Sequence, residues 1–191
     1  MIDLTPSAER MIGLLDAVPD DRLDAATPCP DASLGDLIDH VGTLAVAFTQ
    51  KGGDADTSSG PPPAPNAANL EPAWRSRIAR DLRALAVQWK QPSSWEGMTS
   101  AGGFEMPKSV AGLVALDELI VHGWDIAVAT GQPYSVDDAD AEAAIEVVSS
   151  FEAPRDGRLF GPVIDVPPAA SPLDRLLGQT GRNPHWQPPT D

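Results

Sequence analysis

The chain of 191 residues has one cysteine, three histidines, one tyrosine and only 13 Lys and Arg against 28 Asp and Glu. A lone Cys29 excludes an intramolecular disulfide, and nothing in the cysteine usage points to an oxidising compartment. The formal charge of −15 is broken by no Lys/Arg cluster. Such a field repels phosphate backbones and anionic lipid, which excludes nucleic acid and membrane surfaces as expected partners. No apolar run reaches the roughly 18 residues that a membrane span needs. The start, "MIDLTPSAERMIGLL", carries an acidic residue at position 3 and no basic n-region, so it does not read as a signal peptide. These absences together predict a cytoplasmic, soluble protein.

What is present is helical patterning. Thr5 reads as an N-cap with Pro6 behind it, and Met11, Leu14, Leu15 and Val18 form a stripe that Pro19 ends. Pro28 and Pro30 keep "DAATPCPDA" out of a helix. A second helix is expected from Ser33, boxed by Asp36, to about Gln50, with Leu37, Val41, Leu44 and Phe48 inward and His40 beside them. The polar, proline-rich stretch from 52 to 69 reads as a mobile surface connection. Trp74, Ile78, Leu82, Leu85 and Trp89 then mark a helix from about Glu71 to Lys90.

"SSWEGMTSAGGFEMP" reads as a small hairpin turning at Gly102-Gly103. A helix after Pro107, with Val110, Leu113, Val114, Ile120, Val121 and Val128 as core contacts, should close at Gly131. A fifth is expected from about Val136 to Phe151, and a short one near Pro172–Leu177 in the tail. Four long helices with loops of mixed length favour an up-and-down bundle with one or two long connections. The reading is all-α and one domain over 1–191, with a C-terminal extension over 155–191.

Within "DELIVHGWDIAVATGQP", Glu118, His122 and Asp125 lie on one stripe, spaced four and three apart. A glutamate and a histidine at i and i+4 leave consecutive turns together and can converge on one ion at about 2.0–2.2 Å from each donor. A hydrogen-bonded structural His–Glu pair has the same spacing. A third ligand has to come from elsewhere, and only His40 and His185 are available. His40, in the middle of a helix, is the better placed of the two. Asp125 suits an acceptor that fixes the His122 tautomer, or a solvated aspartate. Trp124 reads as interior packing or a pocket wall, and Asp36 and Asp39 as surface charges. Cys29 has no positive charge near it in sequence, so a structural thiol is favoured over a nucleophile. Arg158, Arg175 and Arg182 could grip an anionic substrate, or pair with local carboxylates.

"ATPCPDASLGDLIDHV", "WEGMTSAGGFEMP", "DELIVHGWDIAVATGQP" and "FGPVIDVPPAASPLDRLLGQTGRNPHW" come in an order that spans most of the chain. With these blocks the chain resembles the actinobacterial branch of the DinB/YfiT-like metalloproteins, the group that includes mycothiol-dependent maleylpyruvate isomerase. The resemblance implies a DinB-like four-helix bundle with a small hairpin, and a divalent metal (zinc, nickel or manganese) held by His40, Glu118 and His122. It also implies a low-molecular-weight thiol as co-substrate, mycothiol in cells that make it, and is compatible with a homodimer. Two positions depart from the family. Asp31–Ser33 stand where an aromatic often follows "PCP", and a glutamate stands at 118 where many members have a third histidine.

The expected activity is addition or transfer of the thiol to an electrophilic small molecule, as a transferase or isomerase. A free thiol with a pKa of about 8.5 is only a few per cent ionised at pH 7, so a metal that favours the thiolate accelerates the step. Asp125 is the expected orienting partner, with Trp124 and Arg182 towards the substrate. A metal-dependent hydrolase on the same bundle, and a non-catalytic metal-binding stress or interaction protein, are the alternatives.

Overall fold

Four helical segments bury most of the stripes assigned to them in the computed structural model, which describes residues 1–29, 31–53, 63–101, 104–152, 155 and 160–189; Leu44, Val110, Leu113, Val114 and Val128 are only half-buried. They are α1 (Thr5–Asp16), α2 (Leu34–Gly52), α3 (Trp74–Trp89) and α4 (Lys108–Thr130). Met11, Leu15, Leu37, Ile78, Leu82 and Trp89 are almost fully enclosed. Between α3 and α4, β1 (Met98–Ala101) and β2 (Phe104–Pro107) pair antiparallel, as expected. Their expected turn at Gly102-Gly103 lies outside the described residues, as do residues 54–62 of the connection.

Local chemistry sets the ends. Ser33 Oγ accepts from Asp36 N–H while Asp36 accepts from Ser33 N–H, a complete capping box at the start of α2. Three starts differ from expectation. Thr5 is the first residue of α1 rather than its cap: Leu4 takes the cap position, and Asp3 Oδ1 accepts from Thr5 N–H at 2.9 Å. α3 begins at Trp74, not Glu71, because the residue before Pro72 is disfavoured in helical conformation. The fifth helix, α5 (Asp138–Ser150), begins after Asp137, whose side chain accepts from Ala139 N–H.

The order of helices also differs from an up-and-down bundle. α1 packs on α3 and α4, and α2 packs on the same two, so α1 and α2 stand across the bundle from one another. The long connections that follow α1 and α2 make this non-sequential pairing reachable. Beyond the bundle, α5 packs on α4 and on α6 (Pro172–Gln179). α4 therefore lies between two layers, and every residue from Val121 to Ala127 is buried. No helix is long and apolar enough to cross a membrane among the described residues.

Candidate metal site

Glu118 and His122 leave consecutive turns of α4, and His40 reaches them from α2. His122 Nε2 lies 2.9 Å from Glu118 Oε2, and His40 Nε2 lies 3.8 Å from the same oxygen. The two imidazoles stand edge-on, with ring centres 5.0 Å apart. All three donor atoms lie within 4.8 Å of one another. Bonds of about 2.0–2.2 Å to one ion place tetrahedral donors about 3.2–3.6 Å apart, and the two observed separations bracket that range. The Glu118 and His40 side chains are 28% and 27% exposed, whereas His122 is enclosed, so the cluster opens to solvent on one side.

The charges are coupled. Burial opposes ionisation of Glu118, but the His122 and His40 rings outweigh it and hold the carboxyl below the usual carboxylate range. Burial alone would lower His122; its contacts with Asp125, Cys29 and Glu118 instead raise it well above an ordinary histidine. In the metal-free chain a proton therefore sits at the His122–Glu118 contact, where a cation would sit.

A second cluster closes the other side of His122. Asp125, fully buried, has Oδ2 3.1 Å from His122 Nδ1. Arg182 donates to the same oxygen at 3.2 Å and to Cys29 Sγ at 3.1 Å, and the Cys29 thiol donates back to Asp125 at 3.4 Å. Burial would raise the Asp125 carboxyl, but His122 and Arg182 prevail and lower it, so it stays ionised. Cys29, His122 and Asp125 are also close enough to share an ion. The guanidinium already fills the place of a cation against two of the three. An ionised Asp125 accepts the Nδ1 proton and leaves Nε2 free to face an ion, the tautomer a metal-ligating histidine requires. The open cluster thus fits a divalent metal by donor type, spacing and tautomer.

Two local devices deliver the closed cluster. Thr27 Oγ1 donates to Ala32 O at 2.8 Å and accepts from Cys29 N–H, which holds Cys29 where its sulfur meets α4. At the end of α6, Arg182 N–H donates to Leu177 O and Gly181 N–H to Gly178 O, a Schellman stop with Gly181 at φ +83°. A Cβ at Gly181 would also come within 2.8 Å of Gly161 Cα. The motif fixes where Arg182 leaves the helix.

The sequence-based candidates fall as follows. His40, Glu118, His122 and Asp125 are brought together. Arg182, expected towards the substrate, is turned to Asp125 and Cys29, and Trp124 is buried. His185 is exposed and outside the cluster, and Arg175 pairs with Glu142. Arg158 lies outside the described residues. Asp39 is not a surface charge: it is buried and accepts from Asn66 N–H and Asn69 Nδ2. Cys29 does meet a positive charge, carried by the tail from 153 residues away.

Fold and site define a four-helix bundle with a His/Glu/His cluster between its second and fourth helices. The family described as the mycothiol maleylpyruvate isomerase N-terminal domain matches residues 4–127, and the chain belongs to it. Uncharacterised proteins from two strains of Mycobacterium tuberculosis are 27% identical over 181 residues, covering 88% of this chain and 90% of theirs. Crystal structures of mycothiol-dependent maleylpyruvate isomerase and of a point mutant share the fold with a TM-score of 0.58 and 18% identity. Those matches cover 76% of this chain and 65% of the solved chains, so this chain spans less than two thirds of their length. The DinB-like helical bundle expected from the sequence is the fold found.

Proposed function

We propose that the protein is a metal-dependent enzyme that uses a low-molecular-weight thiol on an electrophilic small molecule, with isomerisation as the favoured outcome. The observation that carries the metal is the convergence of His40, Glu118 and His122, with His122 Nδ1 held by Asp125 so that Nε2 faces the open side. The family supports the thiol, which its description names as mycothiol. A divalent cation (zinc, nickel or manganese) would supply Lewis-acid chemistry, favouring a thiolate or polarising a carbonyl.

The chain's own groups do the rest. Two neutral imidazoles and one carboxylate compensate only part of a divalent charge, so the open side stays attractive to a thiolate. Asp125 keeps a proton on His122 Nδ1. Arg182 keeps Asp125 charged and enclosed, which makes it a brace for the ligand rather than a grip for the substrate. Because the His122 proton must leave before Nε2 can serve as a ligand, metal affinity should fall as pH falls.

Elemental analysis of the native protein beside His122→Ala tests the reading. Near-stoichiometric metal is expected in the first and little in the second; equal contents would rule the site out. Thiol assays with an electrophile then separate the reaction types. An isomerase leaves the thiol concentration unchanged, and a transferase consumes it.

A further inference from the structure

The ring of His122 is steered by segments far from it in sequence. Asp125 Oδ2 takes all of that carboxylate's hydrogen bonds: His122 Nδ1 at 3.1 Å, Arg182 at 3.2 Å and the Cys29 thiol at 3.4 Å. Its Oδ1 is buried and has no hydrogen-bond partner among the described residues. Of the three partners only His122 belongs to α4, so the helix does not by itself fix how the carboxylate is turned. The contact to Nδ1 in turn sets the rotation of the imidazole, and with it the direction of Nε2 towards Glu118.

The C-terminal segment presents Arg182 as part of one rigid piece. Ile164 N–H donates to Gly178 O at 2.9 Å and Arg155 to Gln179 O at 2.6 Å, which ties the chain ahead of α6 to the helix itself. Leu176 and Leu177 are fully buried. Beyond the Schellman stop, Arg182 Nη1 donates to Thr180 O at 2.9 Å. Asn183 then accepts from His185 N–H through its side chain and from Trp186 N–H through its backbone, and Trp186 packs half-buried against the core. The chain is therefore fixed on both sides of Arg182. The guanidinium does not leave Asp125 alone; it leaves with the segment.

We infer that docking of the C-terminal segment over 160–189 and metal loading of the open cluster are coupled, with Arg182 as the positioning residue that links them. This rests on the metal reading above and assigns a regulation to that site. Displacing the segment lowers metal affinity, and metal in turn holds the segment down. Linkage makes the two effects equal in size. The charge of Arg182 opposes a divalent ion, but it is compensated by the Asp125 oxygen that it shares with the ring, so position outweighs repulsion. Replacing an outer partner of a ligating histidine typically costs about 10–100-fold in metal affinity, and Arg182, one contact further out, falls at the low end.

Zinc affinity, by competition with a chromophoric chelator, and hydrogen exchange with and without zinc test the coupling. Arg182→Met should bind zinc about tenfold more weakly than wild type. Arg182→Lys, which keeps the charge on a different donor, should recover part of that loss. In wild type, zinc should slow exchange of the Gly181, Arg182 and Trp186 amides by about the same tenfold, beyond any slowing in α3, whose core amides report global stability. A purely structural Arg182 would lower stability and move neither readout. Unchanged or tighter zinc binding by Arg182→Met, or tail amides slowed no more than those of α3, overturns the inference. The exchange test needs only the native chain, so it stands even where the variant fails to fold. A wild type that takes up no zinc removes the metal reading and the coupling with it, whereas zinc uptake with an unresponsive tail removes the coupling alone.

Discussion

His122 separates two regions of opposite character. On its Nε2 side, Glu118 and His40 are part-exposed and face an opening. On its Nδ1 side, Asp125 is sealed and its charge is balanced inside the protein by Arg182, with Cys29 bridging the two. Both clusters contain donors that could hold a cation. The difference lies in what already supplies the positive charge. The closed side has a guanidinium built into the fold, and the open side has only an exchangeable proton. Changes on the closed side should therefore cost stability first, and changes on the open side should cost metal first.

The largest expected effect comes from removing the built-in cation. Arg182→Met leaves the buried Asp125 with His122 as its remaining charged partner, and the loss should fall at the low end of the about 3–5 kcal/mol typical of breaking a buried pair. Urea unfolding of metal-free protein measures it. Glu118→Gln, the counterpart on the open side, should change metal-free stability little while metal content drops. If the two variants are destabilised alike, the division between a structural and a binding side does not hold.

That division was only half legible in the sequence. The open side could be read because its geometry is local. Glu118 and His122 are one helical turn apart, and the Ser33/Asp36 box and the apolar spacing fix the turn of α2 on which His40 sits. The closed side depends on two segments meeting across the whole chain, and the acidity around Cys29 in sequence misled because its cation arrives with the tail. One signal was present. "ATGQP" and "QTGRNP" share a Thr-Gly helix ending, and reading the second as a Schellman stop would have placed Arg182 at the exit of a short helix. Which element it meets there is set by α5 and α6 packing on α4, a tertiary fact with no local code. The order of helices round the bundle was hidden for the same reason, since either pairing buries the same stripes.

A smaller effect tests whether the closed side tolerates a second charge. Asp117 is buried with Oδ1 unpartnered. Burial and the adjacent Glu118 push its carboxyl up to about 8, against the opposing pull of Arg182 and His122. In the unfolded chain the proton leaves near 3.8. Between those values the folded state holds a proton that the unfolded state has lost, so stability falls as pH rises, by at most about 1.4 kcal/mol per pH unit, and levels off above the upper value. Asp117→Asn should remove this slope, a difference of up to about 3 kcal/mol between pH 5 and pH 7 in chelator-treated protein. Identical pH profiles would mean that Asp117 folds ionised and that the closed side accommodates the extra charge.

The smallest effect asks what the sulfur does. Cys29 accepts from Arg182 and donates to Asp125, yet those two also touch each other directly, so the bridge is supported even without it. Cys29→Ser keeps a donor and an acceptor in place, whereas Cys29→Val keeps the volume and removes both. If the sulfur works through its hydrogen bonds, serine should stay within about 1 kcal/mol of wild type and valine should lose about 1–2 kcal/mol, because it strips one partner from each of two buried charged groups. If the sulfur only fills space, valine should be the milder change and serine the costlier, since serine leaves a gap. Metal content should stay near wild type in both, because Asp125 still meets His122. A loss of metal in Cys29→Val would show instead that the position of Asp125, and through it the tautomer of His122, depends on all three members of the closed side.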